Sequence, residues 1–460
     1  MTYAETRAWL DSLGEFHMAF GLDRVQETLR RLGNPETCAP AIHVAGTNGK
    51  GATCAYASAI LRTMGVHVGL YTSPHLSRPN ERISIDGRPI DDETFARVVT
   101  RVRDVADDPD QGQVELTFFE VLTCAAFFAF AEAGVQAMVL EVGLGGRLDA
   151  TNVIEPVVAV VTSLSRDHVN VLGESIEERA GEKAGIVKAG RPAICTARDP
   201  AAAAVVGARA REVRSAFYRI GRELLVTAGA DRTGETFAIE TSQPAPSLFV
   251  SGCRLPGLNT HLRDDAAGAS LAVKILRPEV TPAQIVEGLA QARWPGRGEI
   301  IHREAPEDVD IILDGAHNGG AAAALARALG AEAGGDVRPE ARPEVRRTAI
   351  VFASMKDKEH VPVFEALAAL APVAVRMLSL GMSRSADAMT LADEARPIFL
   401  ARGGADVAPA VGTTPDESIR GALGEAISLV GPGGRVVVTG SLYLVGRARE
   451  MLSGLPEEIG

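Results

Sequence analysis

His43-Val44-Ala45-Gly46-Thr47-Asn48-Gly49-Lys50-Gly51 carries an apolar run straight into a glycine-rich turn with a lysine at its far end. Ile42 to Ala45 is a strand-like apolar run, and a helix is expected from about Thr53 to Met64, so the turn joins strand to helix. In that context backbone N–H groups and a helix N-terminus hold phosphate, with Lys50 over the β- and γ-phosphates. The spacing differs from G-x-x-x-x-G-K-[ST]: two residues separate Gly46 from Gly49, and Gly51 follows the lysine. Taken alone, an ordinary glycine-rich turn with an exposed lysine is the competing reading.

Working outward, Val66 to Tyr71, Ala137 to Leu140 and Val157 to Val161 are short runs too apolar for strands with one wet face. They alternate with helical patterns, which predicts βαβ units and a mostly parallel sheet covered on both faces. Each run ends in polar groups: Thr72, Ser73, Pro74 and His75; Glu141 with Gly143, Gly145 and Gly146; Ser163 with Asp167 and His168. Ligands of open α/β sheets bind beyond the carboxyl ends of the strands. A hydroxyl, a carboxylate and an imidazole gathered there suit Mg²⁺, although its preference for oxygen makes His168 the least expected ligand. Singly, Ser73 reads as a helix cap, Glu141 as a buried ion-pair partner and His168 as a core imidazole; their joint placement favours function. Lys183, in Glu182-Lys183-Ala184-Gly185, is a solvated helical lysine by default. Turned towards metal ions it would need a partner or a change of charge.

From Ala216 to Phe249 the pattern becomes short, polar and alternating, which predicts a small antiparallel element. Helices over Asp265 to Leu276 and Pro282 to Ala292 follow, and Trp294-Pro295-Gly296-Arg297-Gly298 marks a boundary between residues 1–296 and 297–460. Beyond it, runs at Val309 to Leu313, Ala349 to Phe352, Val373 to Leu378 and Arg435 to Val438 predict a second, smaller α/β domain. Leu313 leads into Asp314-Gly315-Ala316-His317-Asn318, where Asp314 is either a ribose ligand or a helix cap. Lys356 and Lys358 read as surface charges, and Ala333 to Arg347 as a solvated loop.

Composition limits the choices. The 460 residues carry 47 Lys and Arg against 59 Asp and Glu, a net charge of −12, so neither nucleic acid nor an anionic membrane is an expected partner. With 46% hydrophobic residues the chain is globular. The five cysteines are scattered and read as reduced core thiols. No signal peptide is legible, and the most apolar window, Val121 to Phe130, is half the length a membrane helix needs. The expectation is a cytoplasmic monomer acting on small molecules.

Together these residues resemble the folylpolyglutamate synthetase and dihydrofolate synthetase branch of the Mur ligases. The resemblance runs from His43 to Asn318 through the Gly46–Gly51 loop, Tyr71-Thr72-Ser73-Pro74-His75-Leu76, Asn80-Glu81-Arg82-Ile83, Leu116-Thr117-Phe118-Phe119-Glu120, Glu141 through Asn152, Asp167-His168, Glu182-Lys183-Ala184-Gly185, Trp294-Pro295-Gly296-Arg297 and Asp314 through Asn318. It implies a Mur-ligase-like α/β fold with a phosphate-loop ATPase domain and a Rossmann-like C-terminal domain. It also implies ATP-dependent addition of L-glutamate to dihydropteroate or reduced folate through an acyl phosphate. By the same resemblance Gly46, Thr47, Asn48, Gly49, Lys50, Gly51, Thr53, Arg297 and Asp314 bind ATP. Ser73, Glu141 and His168 hold Mg²⁺, and Lys183 is carbamylated. Thr117, Phe119 and Asp149 border the pterin, Arg82 holds a substrate carboxylate, and His317 lies near the incoming glutamate.

Two positions depart from the family. Ala52 stands where serine is usual, leaving Thr53 as the nearby hydroxyl, and Asp265 stands where an adenine-side asparagine is usual. A carboxylate accepts but cannot donate, so the asparagine's role is not carried over. The alternatives are a Mur-type ligase for another carboxylate, a phosphate-loop NTPase or kinase without ligation, and a degenerate nucleotide-binding module.

Overall fold

A computed structural model describes residues 1–14, 21–164, 173, 175–229, 235–330 and 346–452. The chain forms two compact units. Among the described residues, the first comprises Met1–Pro256 with Leu262–Trp294, and the second Gly257–His261 with those from Pro295 to Leu452.

In the first unit, strands β1 (Ala41–Ala45), β2 (Val68–Tyr71), β3 (Ile83–Ile85), β4 (Arg88–Pro89), β5 (Ala137–Glu141), β6 (Val158–Val161), β7 (Ala193–Cys195) and β8 (Phe217–Arg219) form one sheet in the order β4-β3-β2-β5-β1-β6-β7-β8. The pairs from β2 through β8 are parallel, and β3 and β4 close one edge antiparallel. Along β1, Ile42 and Val44 enter one core while Ala41 and Ala45 enter the cores on the opposite face. That two-sided burial is why these strands read as unbroken apolar runs. The Lys50–Thr63, Arg263–Leu276 and Pro282–Gln291 helices cover the first face with a three-stranded antiparallel sheet, β9 (Leu224–Ala228), β10 (Phe237–Thr241) and β11 (Phe249–Cys253). The helices Asp92–Ala106 and Phe118–Ala133 cover part of the other.

The structure corrects the expectation in three places. Phe217–Arg219 is the last parallel strand of the main sheet, not part of the antiparallel element. The helix after the glycine turn starts at Lys50 rather than Thr53. Cys38 is exposed, while the other four thiols, all free like it, are buried. The apolar Val121–Phe130 window lies inside the Phe118–Ala133 helix and faces the core; no described helix is long and apolar enough to cross a membrane.

The second unit holds a six-stranded sheet in the order β12-β13-β17-β14-β15-β16, built from β12 (Glu299–Arg303), β13 (Val309–Leu313), β14 (Thr348–Phe352), β15 (Ala374–Met377), β16 (Asp406–Pro409) and β17 (Arg435–Thr439). Only β12 runs antiparallel to its neighbour. The expected loop at 333–347 falls outside the described residues as far as 345; beyond it Arg346 pairs with Asp310 at 2.6 Å.

Candidate active site

The loop after β1 sits between the loops that follow β5 and β6, at the point where the chain switches from one side of the sheet to the other. Its shape is imposed by neighbours. Thr47 N–H donates to the Ser163 carbonyl at 2.8 Å, and the hydroxyls of Thr162 and Ser163 donate to the Asn48 carbonyl at 2.7 and 3.1 Å. Gly49, at φ 89°, precedes the Lys50–Thr63 helix in a left-handed conformation, and the space a Cβ would need there is filled by the Asp265 carboxylate. Thr53 is fully buried and its hydroxyl donates back to the Gly49 carbonyl at 2.9 Å. That places it as a brace of the loop rather than as an outward-facing phosphate ligand.

Lys50 bends over this loop. Its Nζ donates to the Thr47 carbonyl at 3.3 Å and lies 4.0 Å from Glu141 Oε1. The other oxygen, Glu141 Oε2, accepts from Ser73 N–H at 3.0 Å. Three sequence-predicted residues from the ends of three strands or strand-following turns therefore meet: Lys50, Ser73 and Glu141. Ser73 and Glu141 supply hard oxygen donors. Among the described residues no three His, Cys, Asp or Glu side chains cluster as a metal cage. Oxygen donors of this kind are the ligand type that Mg²⁺ prefers. Asp167 and His168 lie outside the described residues.

Beyond Glu141 the chain turns through Gly143 to Asp149. Asp149 Oδ2 accepts N–H donors from Gly143 and Leu144, each at 3.0 Å, and Oδ1 accepts from Thr151 N–H at 3.0 Å and its hydroxyl at 2.5 Å. Burial raises its pKa, against these bonds. Four donors on one carboxylate make Asp149 the organiser of this turn. Thr151 Oγ1 in turn accepts from His43 Nε2 at 2.8 Å, and burial holds the His43 pKa down at about 3, so the ring is neutral. Sequence reasoning gave His43 no role; its place on a face of β1 opposite Ile42 is the signal that it is buried.

Phe119 packs against Gly143 and lies 6.0 Å from the Tyr71 ring. Thr117 caps the Phe118–Ala133 helix, its hydroxyl accepting from Glu120 N–H at 3.3 Å. Arg82 is nearly buried; its Nε donates to His75 Nδ1 at 2.9 Å and its guanidinium stands 5.1 Å from the Phe118 ring centroid. Burial, then the Arg82 charge, lowers the His75 pKa. Lys183 is 3% exposed, not solvated, and Gly146 lies against its backbone and that of Glu182. The Arg147–Glu182 ion pair at 2.9 Å fastens the same turn to the Ile176–Ala184 helix.

In the second unit Asp314 is buried at the end of β13. Its Oδ1 accepts from Ala316 N–H at 2.9 Å and its Oδ2 from Gly298 N–H at 2.8 Å. Burial raises its pKa, opposed by the charges of Arg297 and His261. The helix cap is Asn318, which accepts from Ala321 N–H at 2.9 Å, and His317 Nδ1 bonds the Gly315 carbonyl at 2.9 Å. Sequence reasoning missed Gly257–His261 as part of this unit; Leu258 N–H donates to the Gly298 carbonyl at 3.1 Å.

Two family models match the chain: the Mur ligase middle domain over residues 44–242 and the Mur ligase, glutamate ligase domain over residues 296–442. The dihydrofolate synthase/folylpolyglutamate synthase of Bacillus subtilis is 34% identical over 98% of this chain and 99% of its own length. The chain belongs to the folylpolyglutamate synthase/dihydrofolate synthase family of Mur ligases. Among solved members of that family, Escherichia coli FolC in complex with DHPP and ADP superposes with a TM-score of 0.82 at 29% identity, covering 98% of this chain and 99% of that one. A bifunctional folylpolyglutamate synthase/dihydrofolate synthase with Mn, AMPPNP and L-glutamate bound superposes at 0.79 and 28% identity, covering 97% and 98%.

Proposed function

We propose that this chain is an ATP-dependent ligase that joins L-glutamate to dihydropteroate, to a reduced folate, or to both. The observation that carries the reading is the meeting of Lys50, Ser73 and Glu141 beside a glycine loop at a helix N-terminus. The names and ligands of the relatives support the choice of substrates.

A carboxylate is a poor electrophile, so its oxygen first takes the γ-phosphoryl group of ATP and ADP leaves. The glutamate amine then attacks the acyl carbon, phosphate departs, and the amine proton passes to solvent or a nearby base. Gly46, Asn48, Gly49 and Gly51 offer backbone donors to the phosphates, Thr47 N–H being given to the Ser163 carbonyl, while the Lys50 cation offsets charge that builds during transfer. Mg²⁺ held by Ser73 and Glu141, with His168 by family resemblance, supplies Lewis-acid charge neutralisation when bound. We assign Thr53 to bracing the loop. Buried Lys183 is read as carbamylated: the ammonium loses a proton, the neutral Nζ adds to carbon dioxide, and a second proton leaves the nitrogen, so the cation becomes an anion suited to a metal site.

Phe119 offers a stacking face to the pterin, and Asp149 together with Thr117 fixes the turn and helix end that border it. Arg82 is the cation for a substrate carboxylate, held by His75. Arg297 and Asp314 serve the nucleotide. The bond from Nδ1 to the Gly315 carbonyl fixes the orientation of the His317 ring, which is read as bordering the incoming glutamate.

The test is ADP release with a panel of pteroates, reduced folates and amino acids, followed by mass spectrometry. Glutamate-dependent release, with a product one glutamyl residue heavier, is expected. Release indifferent to glutamate overturns the reading.

A further inference from the structure

His43 is the polar residue in the middle of β1, and nothing in the chemistry above uses it. It stands on one face of the strand between Ala41 and Ala45, which enter two different cores, and it is fully buried. Along the sheet it pairs with Leu140 of β5 on one side and Ala159 of β6 on the other, neither of which offers its ring a bond. Among the described residues the ring makes one hydrogen bond, between Nε2 and Thr151 Oγ1 at 2.8 Å, and Nδ1 has no partner. A leucine would fill this place without burying an unbonded polar atom. What the imidazole adds is the bond to Thr151.

That bond decides how Thr151 is used. Thr151 is itself fully buried in the one-turn helix Ala150–Val153, and its hydroxyl donates to Asp149 Oδ1 at 2.5 Å. With its proton committed there, the hydroxyl has only lone pairs left, and the Nε2–H of a neutral His43 fills one. The ring thereby holds the Thr151 side chain in the orientation that serves Asp149. Asp149 Oδ2 in turn accepts from the N–H groups of Gly143 and Leu144, each at 3.0 Å, and Gly143 is the residue against which the Phe119 ring packs. Other ties act further along the same stretch: Asn152 Nδ2 donates to the Arg147 carbonyl at 3.0 Å, and Lys188 Nζ to the Asn152 carbonyl at 3.0 Å. The chain from His43 through Thr151 and Asp149 is the one that ends on Gly143 and Leu144.

We propose that His43 is a positioning residue for the pterin side of the site: it holds the Thr151 hydroxyl on Asp149 and so keeps the Gly143–Asp149 turn, with Phe119 against it, in the shape that receives the pteroate or folate ring. The inference rests on the reading of that turn as the pterin border. β1 thus supports the pterin turn from its middle and carries the nucleotide loop at its end. The two duties are separable, because the loop takes its own braces from Thr162 and Ser163. Loss of the His43 bond therefore tells on the pterin substrate and spares the nucleotide.

The experiment is steady-state ligation by the full chain with dihydropteroate or tetrahydrofolate, ATP and glutamate varied in turn, beside calorimetric titration with ADP. His43→Leu should raise KM for the pterin substrate about tenfold, the worth of about one buried hydrogen bond, and leave kcat, KM for ATP and Kd for ADP within about twofold. His43→Gln, whose amide can donate from near the place of Nε2, should recover most of the loss. Thr151→Val should reproduce the effect of His43→Leu, and Thr151→Ser should recover it. The double variant of His43→Leu with Thr151→Val should be no worse than the worse single one, since both cut the same chain. The Val and Ser variants of Thr151 carry the test even if His43→Leu does not fold. A pterin KM within about twofold of wild type in Thr151→Val, kcat or KM for ATP disturbed as much as the pterin KM, or a Gln variant no better than Leu overturns the positioning role while leaving the functional reading intact. A wild-type chain that adds glutamate to neither pterin substrate overturns the functional reading, and this role with it.

Discussion

Two strand-to-helix turns, one in each unit, solve the same problem in opposite ways. The Gly46–Gly51 turn after β1 is braced from outside, by the Ser163 carbonyl, the Thr162 and Ser163 hydroxyls, the Asp265 carboxylate against Gly49 and the Trp294 ring against Gly51. The Asp314–Asn318 turn after β13 is braced by its own side chains: Asp314 on Ala316 and Gly298, His317 on Gly315, Asn318 on Ala321. A turn held from outside keeps its functional side chain out of the structural bonding. One held by its own carboxylate couples ligand contact to stability. Substitution should therefore separate activity from stability in the first turn and entangle them in the second.

Lys50→Ala gives the largest separation. The side chain makes one long bond to Thr47, so the turn should survive without it, and the unfolding midpoint should stay within a degree or two. Loss of the cation over the phosphates should cost roughly a thousandfold in kcat, about 4 kcal/mol. Steady-state kinetics beside a thermal melt checks both halves. Retention of more than a tenth of wild-type turnover breaks the comparison at its strongest point.

Asp265→Asn tests the bracing itself. The folded-state pKa of about 7 lies above the ordinary 3.8, so the fold binds this proton more tightly than the unfolded chain does. The proton's stabilising contribution is complete below pH 3.8 and is lost as pH rises through 7. Asparagine does not titrate. The variant's stability relative to wild type should therefore grow by about 2 to 3 kcal/mol between pH 5 and pH 7, measured by denaturant unfolding at each pH. A gap that shrinks over this range contradicts the burial assigned to Asp265.

How much of this was legible in the sequence follows the distance over which each feature is made. The β1–turn–helix unit is local, and so are the polar ends of β2 and β5; apolar runs and glycines display them directly. The helix start at Lys50 was misread because Gly51 and Ala52 have no outward helical signature; tertiary packing, Trp294 on Gly51, holds them there. Phe217–Arg219 was misread because an edge strand with half-buried residues alternates like an antiparallel one. The carboxylate of Asp265 beside Gly49 and the Gly257–His261 excursion join segments far apart in sequence. No local pattern marks either.

Asp314→Ala should show the entanglement in the second unit. It removes the acceptor for two buried N–H groups, Ala316 and Gly298, and should cost about 2 kcal/mol, offset in part because burying the carboxylate is itself unfavourable. Activity should fall with stability. Asp314→Asn keeps an acceptor oxygen and should recover part of both. If Asp314→Ala lowers turnover with an unchanged melt, the second turn behaves like the first and the contrast fails.

The smallest effect concerns Thr53, whose hydroxyl has two possible uses in the first turn. In the structure it donates to the Gly49 carbonyl at 2.9 Å, a carbonyl that also accepts the Thr53 backbone N–H at 2.9 Å. Thr53→Val removes the hydroxyl at nearly constant volume and leaves that carbonyl its helical partner, so no buried acceptor is orphaned. The loss should stay under about 1 kcal/mol, the net worth of one neutral hydrogen bond. ADP affinity should change less than twofold if the hydroxyl only braces the loop. A hydroxyl that turns outward to a phosphate or its cation gives a different pattern: Val weakens ADP by more than tenfold while Ser restores it. The Val and Ser variants thus distinguish a loop whose contacts to the nucleotide come from backbone and Lys50 from one that recruits Thr53 on binding. In the second case the division between bracing and functional side chains holds only before the nucleotide arrives.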